Sequence, residues 1–200
     1  CDPHSPARSA AARAVRLEQR LEFEIEPRTE ELIRHVLPLI ERVSGDRIRH
    51  ELALILAEVD PLGPLVRLEQ LGILGALHEK LRIDNWVRAA FSALRYAREN
   101  PPWPALAEFD NWMLTTFSVL TSRLPESDLE ALGRRLQFSR AYLNHMHDAR
   151  LAISRLPELD CELKPSAIVA LLEKLDEVGW LAAWAAAPGA AARDNIAWFA

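Results

Sequence analysis

The fold is decided most clearly by the stretch VSGDRIRHEL, residues 43–52. Its Ser44-Gly45-Asp46 step breaks the preceding apolar pattern and opens a new segment with residues that favour a helix start. From there on, apolar residues recur every three or four positions, and the stripe consists of Ile48, Leu52, Ile55, Leu56 and Val59. This spacing predicts a helix with one face packed against the rest of the protein.

The same spacing recurs along the rest of the chain, with Gly and Pro concentrated at the breaks. No alternating strand pattern appears, so the predicted fold class is all-α, a multi-helix array. Thr29 is expected to cap the second helix, and Pro38 to bend or shorten it. Helices are expected over residues 6–21, 29–40, 45–59, 61–71, 73–81, 84–99, 106–123, 127–138, 140–155, 165–175 and 178–187, with a last short one ending near residue 200.

One break is stronger than the others. The segment Asn100-Pro101-Pro102-Trp103-Pro104 cannot continue a helix, because successive prolines remove donors and restrict the residues before them. It predicts a division into residues 1–100 and residues 101–200.

The composition is that of a folded globular protein, with half of the 200 residues hydrophobic and 26% charged. The net charge of -5 lacks the basic excess typical of nucleic-acid binders, although a local basic stripe would suffice. The longest apolar run, residues 180–188, is far shorter than the ~20 residues of a membrane-spanning helix. No membrane contact and a cytoplasmic location are therefore expected. Cys1 and Cys161 are expected to be reduced, and the start at Cys1 suggests that upstream sequence is missing.

Several stretches, in this order, resemble one family. Residues 13–17 (RAVRL) and 21–29 (LEFEIEPRT) are similar to the neck of class II tRNA nucleotidyltransferases and bacterial poly(A) polymerases. Residues 43–52 resemble the motif E of that family, while residues 68–74 and 164–172 resemble later helices of its body and tail. The resemblance implies that this chain corresponds to the neck and body, with residues 1–100 as neck and first body helices and the remainder as further body and partial tail helices.

The resemblance also implies a division of labour. In this family a separate head carries a Gly-Ser step and paired aspartates that bind magnesium for nucleotidyl transfer. Neither feature is found in this sequence. The chain is therefore expected to bind RNA, positioning the 3' end of tRNA or another RNA for a covalently linked head. Magnesium and a nucleoside triphosphate are expected only in that head, and the chain alone is expected to have no catalytic residue and no cofactor.

The strongest RNA-contact candidates lie in the first predicted helix. Arg13, Arg16 and Arg20 recur at helical spacing beside its apolar face, where they could hold a nucleic-acid backbone. Arg8 lies near the family's base-reading positions, which fall here on Pro6, Ala7 and Ala10, residues that cannot make polar contacts to a base. The alternative is a solvated charged face that includes Glu18 and Glu22. Arg134, Arg135 and Arg140 form a weaker second cluster.

Two residues of the motif E stretch also match the family. Arg47 and Glu51 are four positions apart, so they can face one another on a helix. Their expected role is an ion pair that stabilises the neck rather than a substrate contact.

Two other residue groups are assigned to structure. His145 and His147-Asp148 do not form a metal site in this interpretation, because histidines two positions apart on a helix point to nearly opposite sides. Trp86, Trp112, Trp180 and Trp184 stand among apolar residues at helical spacing, which favours core packing over base stacking.

A second hypothesis, that the chain binds protein rather than RNA, stays open. The acidic balance and the abundant apolar helices also suit a helical protein-interaction or oligomerisation module derived from the same family. In that case the partner would be a protein, including a second copy of this chain as a homo-oligomer.

Overall fold

The computed structural model describes residues 13–18, 23–38 and 44–200, and all regular secondary structure in these residues is helical. The all-α prediction is confirmed. Residues 13–18 are helical, and the short 3-10 helix Pro104–Glu108 precedes α6. The α-helices are α1 (Pro27–Val36), α2 (Gly45–Leu56), α3 (Leu62–Gln70), α4 (Ile73–Leu77), α5 (Asn85–Glu99), α6 (Trp112–Thr121), α7 (Glu126–Arg135), α8 (Arg140–Ser154), α9 (Leu156–Leu159), α10 (Pro165–Leu172), α11 (Glu177–Ala186) and α12 (Ala190–Phe199). None of the helices described has the length and apolar character needed to cross a bilayer.

Two compact units share the chain, and each is built from two separate stretches. The first comprises Cys1–Ile83 with Pro125–Phe138, and the second comprises Asp84–Leu124 with Ser139–Ala200. The proline-rich segment at residues 100–104 thus lies within the second unit. The division into residues 1–100 and 101–200 stays a prediction.

The helix α2 contributes four apolar side chains to the core of the first unit. Its apolar stripe is buried at Ile48, Leu52, Ile55 and Leu56, as the spacing predicts. Val59 is 55% exposed because α2 ends at Leu56, so the prediction that Val59 belongs to the buried stripe is wrong. Apolar side chains of the other helices of the unit complete the core, namely Leu65, Leu68, Leu74, Leu129 and Leu132.

Gly45, at the start of α2, lies directly against the end of α7. A Cβ at this position would overlap the backbone oxygen of Arg135 and lie 2.8 Å from its carbonyl carbon, closer than real Cβ atoms pack, and it would make a tight contact of 3.2 Å with the Cα of Leu136. Arg49, one turn further along α2, adds to this contact by donating a hydrogen bond to the backbone oxygen of Gln137. Gly45 is therefore required by the approach of two backbones.

In the second unit, α6 and α11 form the centre. Eight residues of α6, Leu114–Thr121, and nearly all of α11 are buried, so both helices are covered on all sides. α8 packs along both of them, α5 packs mainly on α11, and α12 lies against α9, α10 and α11. Alanine and other small residues of α11 let these neighbours approach closely.

Two helix boundaries differ from the predictions. The helix predicted to begin with Thr29 as its cap is α1, and Thr29 does not cap it. It begins at Pro27, whose fixed φ suits the first helical position, and Glu26 is the N-cap residue. The helix predicted over residues 106–123 is interrupted, and its continuous part begins only at Trp112. The indole Nε1 of Trp112 donates to the backbone oxygen of Phe109 at 2.8 Å, so this carbonyl is satisfied without a continuous helix.

Asp84 begins the second unit as the N-cap of α5. Its Oδ1 accepts from the backbone N–H of Val87 at 3.0 Å, and its Oδ2 pairs with Arg123. The Arg123 guanidinium also lies 4.7 Å from the ring centroid of Trp86. Burial alone would raise the pKa of Asp84, but the N–H of Val87 and the charge of Arg123 outweigh it and lower this pKa.

Replacing Asp84 by alanine is expected to cost about 1 kcal/mol of unfolding free energy at pH 7, the usual cost of losing an N-cap. Since the folded-state pKa is lowered, the stability that ionised Asp84 contributes is present above pH ~4 and is lost as pH falls through the folded pKa. Urea titrations at pH 7 and pH 3 measure this difference. Asp84→Asn is the control, because it keeps the cap and loses only the charge; an Asp84→Ala cost that is the same at both pH values would contradict the account.

Candidate nucleic-acid interface

The helical residues 13–18 present two different faces. Val15 is fully buried and Glu18 is 7% exposed, and since they are three positions apart they share the inner face. Arg13 and Arg16 are also three positions apart and share another face. Arg13 is exposed and Arg16 is half-buried. The structure thus brings together these two members of the predicted stripe, whereas Arg8 and Arg20 lie outside the described residues.

Arg16 carries a charge that the described part of the protein leaves uncompensated. Its Nε is sealed from solvent without a hydrogen-bond partner, and no described carboxylate forms an ion pair with it. A part-buried guanidinium without a counter-charge is costly to keep, and an incoming anion would lower that cost. Arg13 and Arg16 therefore form a cationic pair on one face of this helix.

The inner face of the same helix is fixed by a charge cluster that consists of Glu18, Glu30, Arg34 and Arg67. Arg67, on α3, holds the Glu18 carboxylate with two donors: Nε lies 2.9 Å from Oε2 and Nη2 lies 3.2 Å from Oε1. The same Nη2 bonds Glu30 of α1, which also pairs with Arg34 at 3.1 Å. Glu18 further accepts the backbone N–H of Ile25 at 2.9 Å. The Glu18 carboxylate thus joins three parts of the first unit, namely its own helix, Ile25 and α3, and Arg67 links α1 to them.

Electrostatics agree with this geometry. The hydrogen bond from Arg67 lowers the pKa of the Glu30 carboxyl below its ordinary value, with a further contribution from the Arg67 charge. The Glu18 hydrogen bond raises the pKa of Arg67, as does the bond to Glu30. Both groups are therefore held in their charged forms at neutral pH.

Sequence reasoning missed this cluster. Only the alternative interpretation considered Glu18, as part of a solvated face, but Glu18 lies on the buried face three residues after Val15. Its partner Arg67 is 49 positions away along the chain. The one available signal was the spacing itself, since an acid in register with a buried valine needs a partner inside the protein.

Many other cations of the first unit are already bound to carboxylates. The pairs are Arg34 with Glu30, Arg49 with Asp46, Lys80 with Asp128, and Arg134 with Glu130. Such internal pairs reduce what these side chains can offer to a phosphate. Arg134 belongs to the weaker predicted cluster, and Arg140 of that cluster lies in the second unit.

The expected pair of Arg47 and Glu51 stays a prediction. Arg47 is exposed on α2, and Glu51 is half-buried on the next turn. The Oε2 atom of Glu51 is sealed from solvent and has no hydrogen-bond partner. A buried, unpartnered carboxylate oxygen of this kind is destabilising.

The histidines and tryptophans of the second unit take part in its packing. His145 of α8 bonds Asp176, which in turn caps α11 by accepting from the N–H of Gly179 at 2.7 Å. Burial raises the pKa of the neighbouring Asp148, and the charge of Asp176 adds to this. Trp184 is buried, while Trp86, Trp112 and Trp180 are half-buried. No group of three or more metal-ligating side chains occurs among the residues with described positions.

Comparison with known proteins supplies a family context. Residues 22–83 match a domain family described as "Probable RNA and SrmB-binding site of polymerase A". An A-adding tRNA nucleotidyltransferase of Geobacter sulfurreducens is 30% identical over 145 residues, which cover 70% of this chain and 16% of that protein.

Solved structures share the fold. A CCA-adding enzyme bound to ATP matches 96% of this chain with a TM-score of 0.75 and 22% identity, and the match covers 46% of that enzyme. The Thermotoga maritima CCA-adding enzyme in complex with tRNA matches 95% of this chain with a TM-score of 0.73 and 22% identity, and the match covers 46% of its chain. The chain thus spans less than half the length of these relatives.

Proposed function

We propose that this chain, which belongs to the tRNA nucleotidyltransferase and poly(A) polymerase family and corresponds to its helical RNA-binding region, binds RNA through Arg13 and Arg16. The proposal is supported by the matched domain, whose description names RNA, and by the shared fold with CCA-adding enzymes. The observation that carries it is Arg16, which is half-buried, has an Nε atom without a hydrogen-bond partner and forms no ion pair with a described carboxylate. Phosphate is the anion that an RNA backbone would bring to this position.

RNA binding by this chain is expected to depend steeply on salt, because each phosphate neutralised by a cation releases counterions. Replacing Arg13 and Arg16 together by glutamine is expected to weaken binding and to reduce the slope of log K against log salt by about 1.5 to 2, the value for two lost contacts. Fluorescence anisotropy with labelled tRNA between 50 and 200 mM salt, a range over which such contacts are measurable, checks this.

The matched control for this measurement is Arg134→Gln. It removes one arginine from the same unit, but one that is exposed and already paired with Glu130. Its salt slope should equal that of the unmodified chain. Absence of any salt-sensitive binding by the unmodified chain would remove RNA binding from the account.

Within the longer protein, the proposed role is to hold the 3' end of tRNA or another RNA for a covalently linked nucleotidyltransferase head. The contribution of this chain would be orientation of the terminal hydroxyl, which is a large part of catalysis in phosphoryl transfer. Magnesium ions and the nucleoside triphosphate belong to the head in this proposal, and no residue of this chain takes a chemical role.

A second candidate function is protein interaction. The matched domain is described by a protein, SrmB, as well as by RNA. Phe23 is 65% exposed and Leu32 on α1 is 60% exposed, and exposed apolar side chains of this size suit a protein partner. Light scattering of the purified chain separates the two functions for the case of self-association. A stable oligomer that dissociates on Phe23→Ser with RNA binding unchanged would establish an independent interaction surface.

A further inference from the structure

We infer that Arg67 is a positioning residue for RNA binding: through Glu18 it sets the orientation in which Arg13 and Arg16 meet the phosphate backbone. The inference rests on the proposed contact of Arg13 and Arg16 with RNA. Arg67 lies on a different helix from Arg13 and Arg16, and in this inference it does not bind RNA itself.

The first step concerns what holds residues 13–18 in place. A single helix has little stability by itself, because helix nucleation is costly, so its position depends on its contacts with the rest of the protein. The described residues that attach it are Val15, through its buried side chain, and Glu18, whose carboxylate binds Arg67 and whose backbone oxygen accepts from the N–H of Phe23 at 3.0 Å. An apolar side chain fixes position but leaves the helix free to rotate, whereas a carboxylate gripped by two parallel donors also fixes orientation.

The second step concerns why Arg67 does not contact RNA itself. Its Nε and Nη2 are both directed at carboxylates, and its side chain is only 20% exposed. The two carboxylates Glu18 and Glu30 compensate its charge. Phosphate would have to displace buried, charge-assisted bonds to reach it.

The third step links the cluster to the cations. Glu18 follows Arg16 by two positions, which places the two side chains on nearly opposite sides of the helix. Holding Glu18 inward therefore turns Arg16 away from the cluster, and Arg13 with it. Loss of the two-donor grip would let the helix rotate or fray, and the two cations would no longer meet the backbone together.

The test is a double-mutant cycle measured as tRNA affinity against salt. Arg67→Lys keeps the positive charge but cannot reproduce the two parallel donors. We expect it to weaken binding roughly fivefold to tenfold and to lower the salt slope by about 1, as for one lost contact. In the Arg13→Gln, Arg16→Gln background, Arg67→Lys is expected to cause no further loss, because residues that act as one unit are not additive.

Arg34→Lys is the matched control. It alters an arginine that also binds Glu30 but does not reach Glu18, and it should leave affinity and slope unchanged. Glu18→Gln approaches the same contact from the other partner: its amide oxygen still accepts from Ile25 but offers no second oxygen to Arg67. It is expected to give the same non-additive loss, and it decides the question should Arg67→Lys fail to fold by circular dichroism.

The outcomes separate the two proposals. Unchanged binding by folded Arg67→Lys or Glu18→Gln would overturn the positioning role while RNA binding stands. A loss that adds fully to that of the Arg13, Arg16 double variant would also overturn it, since Arg67 would then act by another route. If the unmodified chain shows no salt-sensitive binding, the proposed function and the positioning role are both overturned.

Discussion

Replacing Arg67 by methionine is expected to lower the free energy of unfolding by roughly 3 kcal/mol, the lower end of the range for breaking a buried ion pair. The lower end applies because the Arg67 side chain is 20% exposed. Methionine has similar length but no charge, so Glu18, 7% exposed, would lose its two-donor partner. The cost arises from that stranded carboxylate rather than from lost packing.

Urea denaturation followed by circular dichroism measures the effect of Arg67→Met. Arg34→Met is the matched control, because it removes a half-exposed arginine that pairs with Glu30 alone, and a change below 1 kcal/mol is expected. Combining Arg67→Met with Glu18→Leu should recover part of the loss, since the carboxylate is then absent. Equal costs for Arg67→Met and Arg34→Met would show that the Glu18 contact contributes nothing to stability.

The second large effect is expected at Gly45. A methyl group there cannot fit, because Arg135 and Leu136 present backbone atoms rather than flexible side chains at the contact. Either α2 or the end of α7 must shift, and Gly45→Ala is expected to destabilise the first unit by about 3 kcal/mol, the upper end of the usual range for overpacking. The gain in helix propensity, about 1 kcal/mol, is too small to offset this.

Gly75→Ala in α4 is the control for Gly45→Ala. A Cβ at Gly75 would meet only the end of the Arg82 side chain at 3.7 Å, an ordinary contact. Alanine there should be neutral or should stabilise by up to about 1 kcal/mol, because glycine is a poor helix former. Melting temperatures of the two variants measure the difference, and a Gly45→Ala variant that melts at the temperature of the unmodified chain would contradict the close backbone contact.

Local patterns were sufficient for most of the fold. The stripe from Ile48 to Leu56 and the helix predicted over residues 84–99 depend on neighbours within one or two turns, and the structure has both, with α5 beginning at Asn85. The interruption between the 3-10 helix and Trp112 was not predicted, because it depends on an indole that satisfies the Phe109 carbonyl. The spacing of apolar residues gives no indication of such a hydrogen bond between a side chain and a backbone carbonyl.

The candidate site was less accessible to sequence reasoning. The stripe containing Arg13 and Arg16 could be identified from helical spacing alone, but the residue that fixes it could not. Arg67 is far from Glu18 in the sequence, and an arginine on an amphipathic helix looks the same whether it meets water or a buried acid. The family resemblance directed attention to the motif E pair, whereas the structure shows a two-donor ion pair at Glu18.

The interleaving of the two units has a consequence for biosynthesis. The ribosome completes Ile83 long before it reaches α7, and the first unit lacks that helix until Phe138 has been made. At ~5–20 residues per second, the 55 residues from 84 to 138 take roughly 3 to 11 s, during which the core of the first unit lacks Leu129 and Leu132. The apolar core of the first unit can therefore be completed only after much of the second unit has been synthesised.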